Sequence, residues 1–120
     1  MHRTVVIDVV GLSPDLVGES TPNLARFAKR GVQKPLETIL TAVTCSVQST
    51  FTTGTMPSEH GIVGNGWYFR DLGEVWLWRQ SNALVHGEKI WDVAKKRDPS
   101  FSVAKLFWWY NMYSTADFAL

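Results

Sequence analysis

Thr4-Val5-Val6-Ile7-Asp8-Val9-Val10 is the stretch that decides the fold class. It is β-branched and apolar at every position but the two polar ones, Thr4 and Asp8, which is how a strand buried on both faces of a parallel sheet reads. Gly11 to Ser20 then has loop composition, and Thr21-Pro22 supplies an N-cap followed by proline at the first helical position. Leu24, Phe27 and Ala28 fall on one face of the short helix that follows, and Gly31 closes it. Val32 to Leu40 is a second strand candidate, with Pro35 confining its first half to an edge or a bulge. Strand, helix, strand in this order is the unit of an α/β sheet with a right-handed crossover.

Further along, Thr44 to Thr53 is small and hydroxylated, with Val47 and Phe51 four apart and Gly54 placed as a C-cap, and a helix is expected there. Met56 to Gly64 reads as loop. Asn65-Gly66 is a turn dipeptide, and Asp71-Leu72-Gly73 separates Trp67-Tyr68-Phe69-Arg70 from Val75-Trp76-Leu77-Trp78 as a small β-hairpin would. Gly87 to Arg97 predicts a helix with Ile90, Trp91 and Ala94 on one face and Lys95, Lys96 and Arg97 at the end that its dipole favours. Asp98-Pro99 ends it, and Val103 to Tyr110 is apolar enough for a central strand.

The 120 residues are 45% hydrophobic and 19% charged, a globular composition that excludes low-complexity disorder. Twelve Lys and Arg against eleven Asp and Glu leave a net charge of +1, so there is no electrostatic footprint for polymeric nucleic acid. One cysteine cannot form an internal disulfide. The N-terminal apolar run is interrupted by Asp8 and lacks a cleavage site, and no stretch approaches the roughly 20 apolar residues of a membrane span. A cytoplasmic location is the default expectation. The chain finishes on the apolar, aromatic Phe118-Ala119-Leu120, which leads to two expectations: that these residues are part of something longer, and that the C-terminal segment promotes self-association.

Chemistry has few places to sit. A carboxylate at Asp8, near the C-terminal end of a buried strand, must be paired or hold a metal, or else cap the following loop. Thr44, in the first turn of a helix, sits where free N–H groups and the dipole favour anionic oxygen, although Thr44 or Ser46 could equally be a plain N-cap. Cys45 could have a lowered pKa there, but no His lies near it in sequence to form a pair, and it ranks below Thr44. His60, in Ser58-Glu59-His60-Gly61, has no ligand spacing around it and reads as structural. Asn65 could offer its amide to an anion, while its pairing with Gly66 is equally explained by a turn requiring positive φ. The six Trp could stack on sugar or base rings, with core packing the commoner use for most of them.

The ordered set is more specific than its parts. Strand-borne Asp8, then Thr21-Pro22-Asn23-Leu24 with Phe27 and Gly31-Val32, then Thr44-Cys45 ahead of Thr53-Gly54, then Pro57-Ser58-Glu59-His60-Gly61-Ile62-Val63-Gly64-Asn65 resembles the N-terminal part of the type I phosphodiesterase/nucleotide pyrophosphatase family of the alkaline phosphatase superfamily. The likeness runs from about residue 4 to residue 69. It implies an α/β fold, the alkaline phosphatase-like three-layer sandwich with a mostly parallel sheet, of which residues 1–120 would be the N-terminal portion of one catalytic domain. It implies a metal-dependent hydrolase of phosphodiesters or pyrophosphates with small phosphate esters or nucleotides as substrates. By the same resemblance Asp8 would be a metal ligand, Thr44 the metal-bound nucleophile that becomes phosphothreonine, and Asn65 a donor to a phosphoryl oxygen. The cofactors would be two divalent metal ions, zinc first among them. The sequence departs from the family in placing Val9-Val10 between the aspartate and Gly11. Two metals about 3.5–4 Å apart need several carboxylate and imidazole ligands, and three histidines without paired spacing are too few, so the site and its activity are expected to be incomplete in this chain. Other phosphoesterases of the superfamily, and a non-enzymatic Trp-rich binding domain, are the alternatives.

Overall fold

The computed structural model describes residues 2–120, which divide into two compact units, His2–Thr38 and Ile39–Leu120. In the first, Thr4 to Val9 carries no regular secondary structure, a 3₁₀ turn spans Pro14–Leu16, and α1 spans Pro22–Ala28. Thr21 precedes α1 as expected, but its hydroxyl serves the loop before the helix, donating to the Leu16 carbonyl at 2.6 Å and accepting from the Gly18 amide at 3.0 Å.

The second unit begins with α2 (Thr44–Thr53), which ends on Gly54 at φ 69°, the left-handed C-cap that its sequence predicts. One helical turn, α3 (Pro57–His60), replaces the expected loop. The hairpin forms where expected: β1 (Gly66–Phe69) pairs antiparallel with β2 (Glu74–Leu77), Trp67 opposite Trp76. Helix α4 (Ile90–Arg97) starts three residues later than expected, at a first turn closed by the Asp92 carboxylate accepting from the Lys89 amide at 3.2 Å. Two short strands, β3 (Ala104–Lys105) and β4 (Phe118–Ala119), pair in parallel. No helix among the described residues is long and apolar enough to cross a membrane.

The chain is therefore α/β in content with two two-stranded sheets, and three expected strands are corrected. Thr4 to Val10 has no ladder partner among the described residues, and Val5, Ile7 and Val10 are 75%, 77% and 82% exposed. A strand apolar on both faces is stabilised only when neighbours cover both. Val32 to Leu40 forms no strand either, since Pro35 removes a ladder donor and Leu36 packs on nothing that shields it. Val103 to Tyr110 yields only its Ala104–Lys105 pair, because Phe107 and Tyr110 both take φ 59°, outside the β region altogether.

The second unit's core is small. Cys45, Ile62, Val85 and Tyr110 are buried together, with Trp67, Leu84 and Trp109 packed against them. Of the six Trp, Trp91 is buried and Trp67 and Trp109 pack against the core, so core packing accounts for three of them. Trp67, Phe69 and Trp76 also stack along one face of the hairpin, at centroid separations of 5.0 and 4.4 Å, and the Arg79 guanidinium lies 4.2 Å over Trp76.

Two buried lysines were not foreseen in the sequence. The Lys89 ammonium donates to the carbonyls of Val85 and Gly87 at 2.8 and 2.7 Å, and that of Lys105 to those of Trp109 and Tyr110 at 2.6 and 2.8 Å. Burial pushes the Lys105 ammonium down to about 8, with nearby Lys89 adding to the shift. Because the unfolded value is higher, the unfolded chain binds more protons between the two, and this lysine's contribution to stability rises with pH through that window. The stability of the wild type relative to Lys105→Met is expected to increase by about 1 kcal/mol between pH 7 and pH 9. Paired thermal or urea melts check this, and the opposing titration of Cys45 cancels in the difference.

Candidate functional site: the first turn of α2

The helix that carries Thr44 is rich in Ser and Thr, which are weak helix formers, so its start has to be fixed from outside. Its N-cap residue is Val43, which has no side chain able to cap. Thr44 is the first helical residue and Ser46 the third. The Ser46 hydroxyl turns back to the carbonyls of Thr41 and Val43, at 2.5 and 3.1 Å. Neither residue is the simple N-cap that the sequence left open.

The cap comes from Asn65, twenty positions on. Its Oδ1 accepts from the Cys45 backbone N–H at 2.9 Å, satisfying one of the amides that a helix start leaves unpaired. Asn65 does not take positive φ and neither does Gly66, so the turn explanation for this dipeptide fails. Gly66 is needed for close approach instead: a Cβ there would meet the Leu77 side chain and lie 2.7 Å from the Trp76 carbonyl oxygen. The Asn65 carbonyl accepts from the Trp78 amide at 2.8 Å, which ties the capping residue to the end of β2.

Thr44 is half-buried, and its hydroxyl makes no hydrogen bond among the described residues; the same holds for the Asn65 Nδ2. Since an amide oxygen bound to a backbone N–H leaves the NH₂ group as the only donor end, Asn65 holds a donor beside the helix start. The structure thus brings Thr44 and Asn65 together. Asp8 lies in the other unit, exposed, in a segment without regular structure. The buried-strand argument for its carboxylate does not apply.

Cys45 is fully buried and burial pushes its thiol up, which removes it as a nucleophile. His60 is fully buried too, and its ring is spent on structure. Its Nδ1 accepts from the Ile62 amide at 3.1 Å, which places the proton on Nε2, 3.0 Å from the Thr50 hydroxyl. Desolvation lowers its pKa. This is the architectural role expected of it.

The residues that sequence reasoning missed are Tyr110, Gln48 and Trp109. Tyr110 is buried in one cluster with Cys45, and the Gln48 side-chain oxygen, one turn beyond Thr44, accepts from the Trp109 amide at 2.7 Å. Nothing in the local pattern around residue 110 signals a partner sixty-five positions upstream, because the stretch reads as strand.

Among the described residues no three His, Cys, Asp or Glu side chains come together to hold a metal ion. The donors present therefore do not by themselves fit a metal pair.

A helix start with a hydroxyl and a fixed amide donor is suited to holding a tetrahedral oxyanion. Comparison with known proteins specifies the class: the family described as type I phosphodiesterase / nucleotide pyrophosphatase matches residues 4–119. The chain belongs to this family, whose members are phosphodiester and pyrophosphate hydrolases and are generally metal-dependent. No curated protein matches the chain. No solved structure matches it either.

Proposed function

We propose that this chain contributes the nucleophile side of a phosphodiester or nucleotide pyrophosphate hydrolase, with Thr44 as nucleophile and Asn65 as donor to a phosphoryl oxygen. The observation that supports the reading is the 2.9 Å bond from the Cys45 amide to the Asn65 Oδ1, which holds the Asn65 side chain beside the helix start that carries Thr44. In the proposed step the Thr44 Oγ1–phosphorus bond forms as the bond from phosphorus to the leaving-group oxygen breaks, the leaving group departs with that oxygen, and the hydroxyl proton passes to solvent water. Asn65 and the helix start offset charge on the equatorial oxygens. Water then cleaves the phosphothreonine at phosphorus. Asp8 would hold one of two divalent ions, zinc first among them; the further ligands that such a pair needs are not gathered among residues 2–120.

The test is ¹⁵N NMR of the 120-residue protein titrated with inorganic phosphate, with and without zinc. The expected result is a saturable shift centred on Thr44, Cys45 and the Asn65 side-chain amide, abolished by Thr44→Val, which keeps the side chain's shape and removes its hydroxyl. Shifts centred elsewhere, or indifferent to Thr44→Val, would sink the assignment. Metal-dependent turnover of a nitrophenyl phosphodiester that vanishes in Thr44→Ala would support the nucleophile, and turnover that persists in Thr44→Ala would overturn it.

A further inference from the structure

Of the six Trp, all among the described residues, Trp78 alone is exposed, at 47%. It stands directly after β2 with φ 55°, a conformation that is an outlier for a bulky residue and persists only where its surroundings impose it. Those surroundings are the hairpin and Trp109. The Trp78 amide donates to the Asn65 carbonyl at 2.8 Å, one position beyond the Gly66–Leu77 pair, so Trp78 stands across from the residue that caps α2. The indole of Trp109 meets that of Trp78 edge to face at a centroid separation of 5.0 Å, and its Nε1 donates to the carbonyl of Arg79, the next residue, at 2.9 Å. Trp109 is held in turn by its amide, which donates to the Gln48 Oε1 at 2.7 Å. Gln48 is four positions beyond Thr44 and so lies on the same face of α2. The indole pair is thus anchored at Asn65 on one side and on the Thr44 face of the helix on the other. In an edge-to-face pair each ring keeps a face clear of the other, and the exposure of Trp78 leaves its own open to a ligand.

We propose that Trp78 is a specificity-determining residue of the Thr44–Asn65 site: its open indole face stacks on a planar aromatic group carried by the phosphate ester. The role rests on the reading of Thr44 and Asn65 given above, and it narrows the substrates to esters whose substituent bears a flat ring, aryl or nucleobase. Stacking serves any π face and needs no hydrogen-bond readout, so the residue selects planar over saturated groups without selecting one ring from another. The left-handed backbone and the contact with Trp109 hold the indole in place before a ligand arrives, which keeps the ordering cost of binding low. Two residues facing each other at the open end of the hairpin then divide the ligand between them. Asn65 takes a phosphoryl oxygen, and Trp78 takes the substituent.

The experiment is an NMR titration of wild type, Trp78→Phe and Trp78→Leu with inorganic phosphate, glycerol phosphate, phenyl phosphate and adenosine monophosphate. The Trp78 indole N–H signal is identified by its absence from both variants. The expected result is that phenyl phosphate and adenosine monophosphate shift this signal and bind the wild type about tenfold more tightly than glycerol phosphate does. Trp78→Phe keeps most of that preference and Trp78→Leu loses it, while inorganic phosphate binds all three proteins alike. A gain for only one of the two aromatic ligands upholds the stacking face and assigns it to aryl or to nucleobase substituents. Equal affinity for phenyl and glycerol phosphates in the wild type, or a preference that survives Trp78→Leu, would overturn the proposal, and the wild-type comparison decides even if a variant fails to fold. If inorganic phosphate leaves Thr44 and Asn65 unmoved in the wild type, the reading beneath the proposal falls. If it moves them while neither aromatic ligand gains over glycerol phosphate, this proposal falls alone.

Discussion

Asn65→Ala is expected to abolish the phosphate-induced shift at Thr44 and to destabilise the protein by about 1 kcal/mol, with 2 kcal/mol as the upper end for losing an N-cap. Both effects follow from one side chain with two ends. The oxygen end accepts from the Cys45 amide at 2.9 Å, and its removal returns an unpaired N–H to the start of a helix whose own N-cap residue is valine. The nitrogen end is the donor assigned to the anion. Asn65→Asp separates the two. A carboxylate still accepts from the Cys45 amide and is favoured by the helix dipole, so the melting temperature should stay near that of the wild type. It offers no donor and repels phosphate, so anion binding should fall as far as in Asn65→Ala. Urea melts and the phosphate titration read the two quantities independently. If Asn65→Asp bound phosphate like the wild type, Asn65 would be a cap and nothing more.

Local pattern was enough to place α2, its glycine C-cap, the hairpin and most of α4, because each rests on signals within a few residues: Gly54 after a run of small residues, a three-residue turn between two aromatic runs, and Ile90, Trp91 and Ala94 on one helical face ahead of three basic residues. The sheet was not legible in the same way. Val5, Ile7 and Val10 have the composition of a central strand, but composition states only what a segment would gain from being covered; among residues 2–120 no ladder forms on it. At the site, Thr44 was readable as a first-turn residue and Asn65 as a candidate donor. That they meet was not, because the bond spans twenty positions and the Asn-Gly pair offered a sufficient local explanation. Tyr110 was misread for a related reason. Its aromatic neighbourhood has strand propensity, and the left-handed backbone that turns it inward is imposed by Lys105 and Gln48 through contacts with no sequence signature.

Gly66→Ala is expected to be more damaging than its single methyl group implies, costing about 2–3 kcal/mol as overpacking of a closely packed position does. The residue stands opposite Leu77 in the hairpin register, and a Cβ would collide with the Leu77 side chain and sit 2.7 Å from the Trp76 carbonyl oxygen. The first obstacle is the end of a flexible side chain and can move; the second is backbone and cannot move without parting the strands. Leu77→Ala in the same protein should therefore restore only part of the loss. Gly18→Ala supplies the contrast: a Cβ there meets nothing within 4 Å at an ordinary φ, so it should be neutral or slightly stabilising through reduced entropy of the unfolded chain. The damage at Gly66 should also reach the site. The adjacent Asn65 is held by its carbonyl to the Trp78 amide at the end of β2, so parting the strands at Gly66 moves the residue that caps α2. Near-UV circular dichroism, which senses the Trp67–Phe69–Trp76 stack, should change together with the loss of the phosphate shift at Thr44. A Gly66→Ala protein that kept the aromatic signal and the wild-type melting temperature would show that the hairpin does not set the position of Asn65.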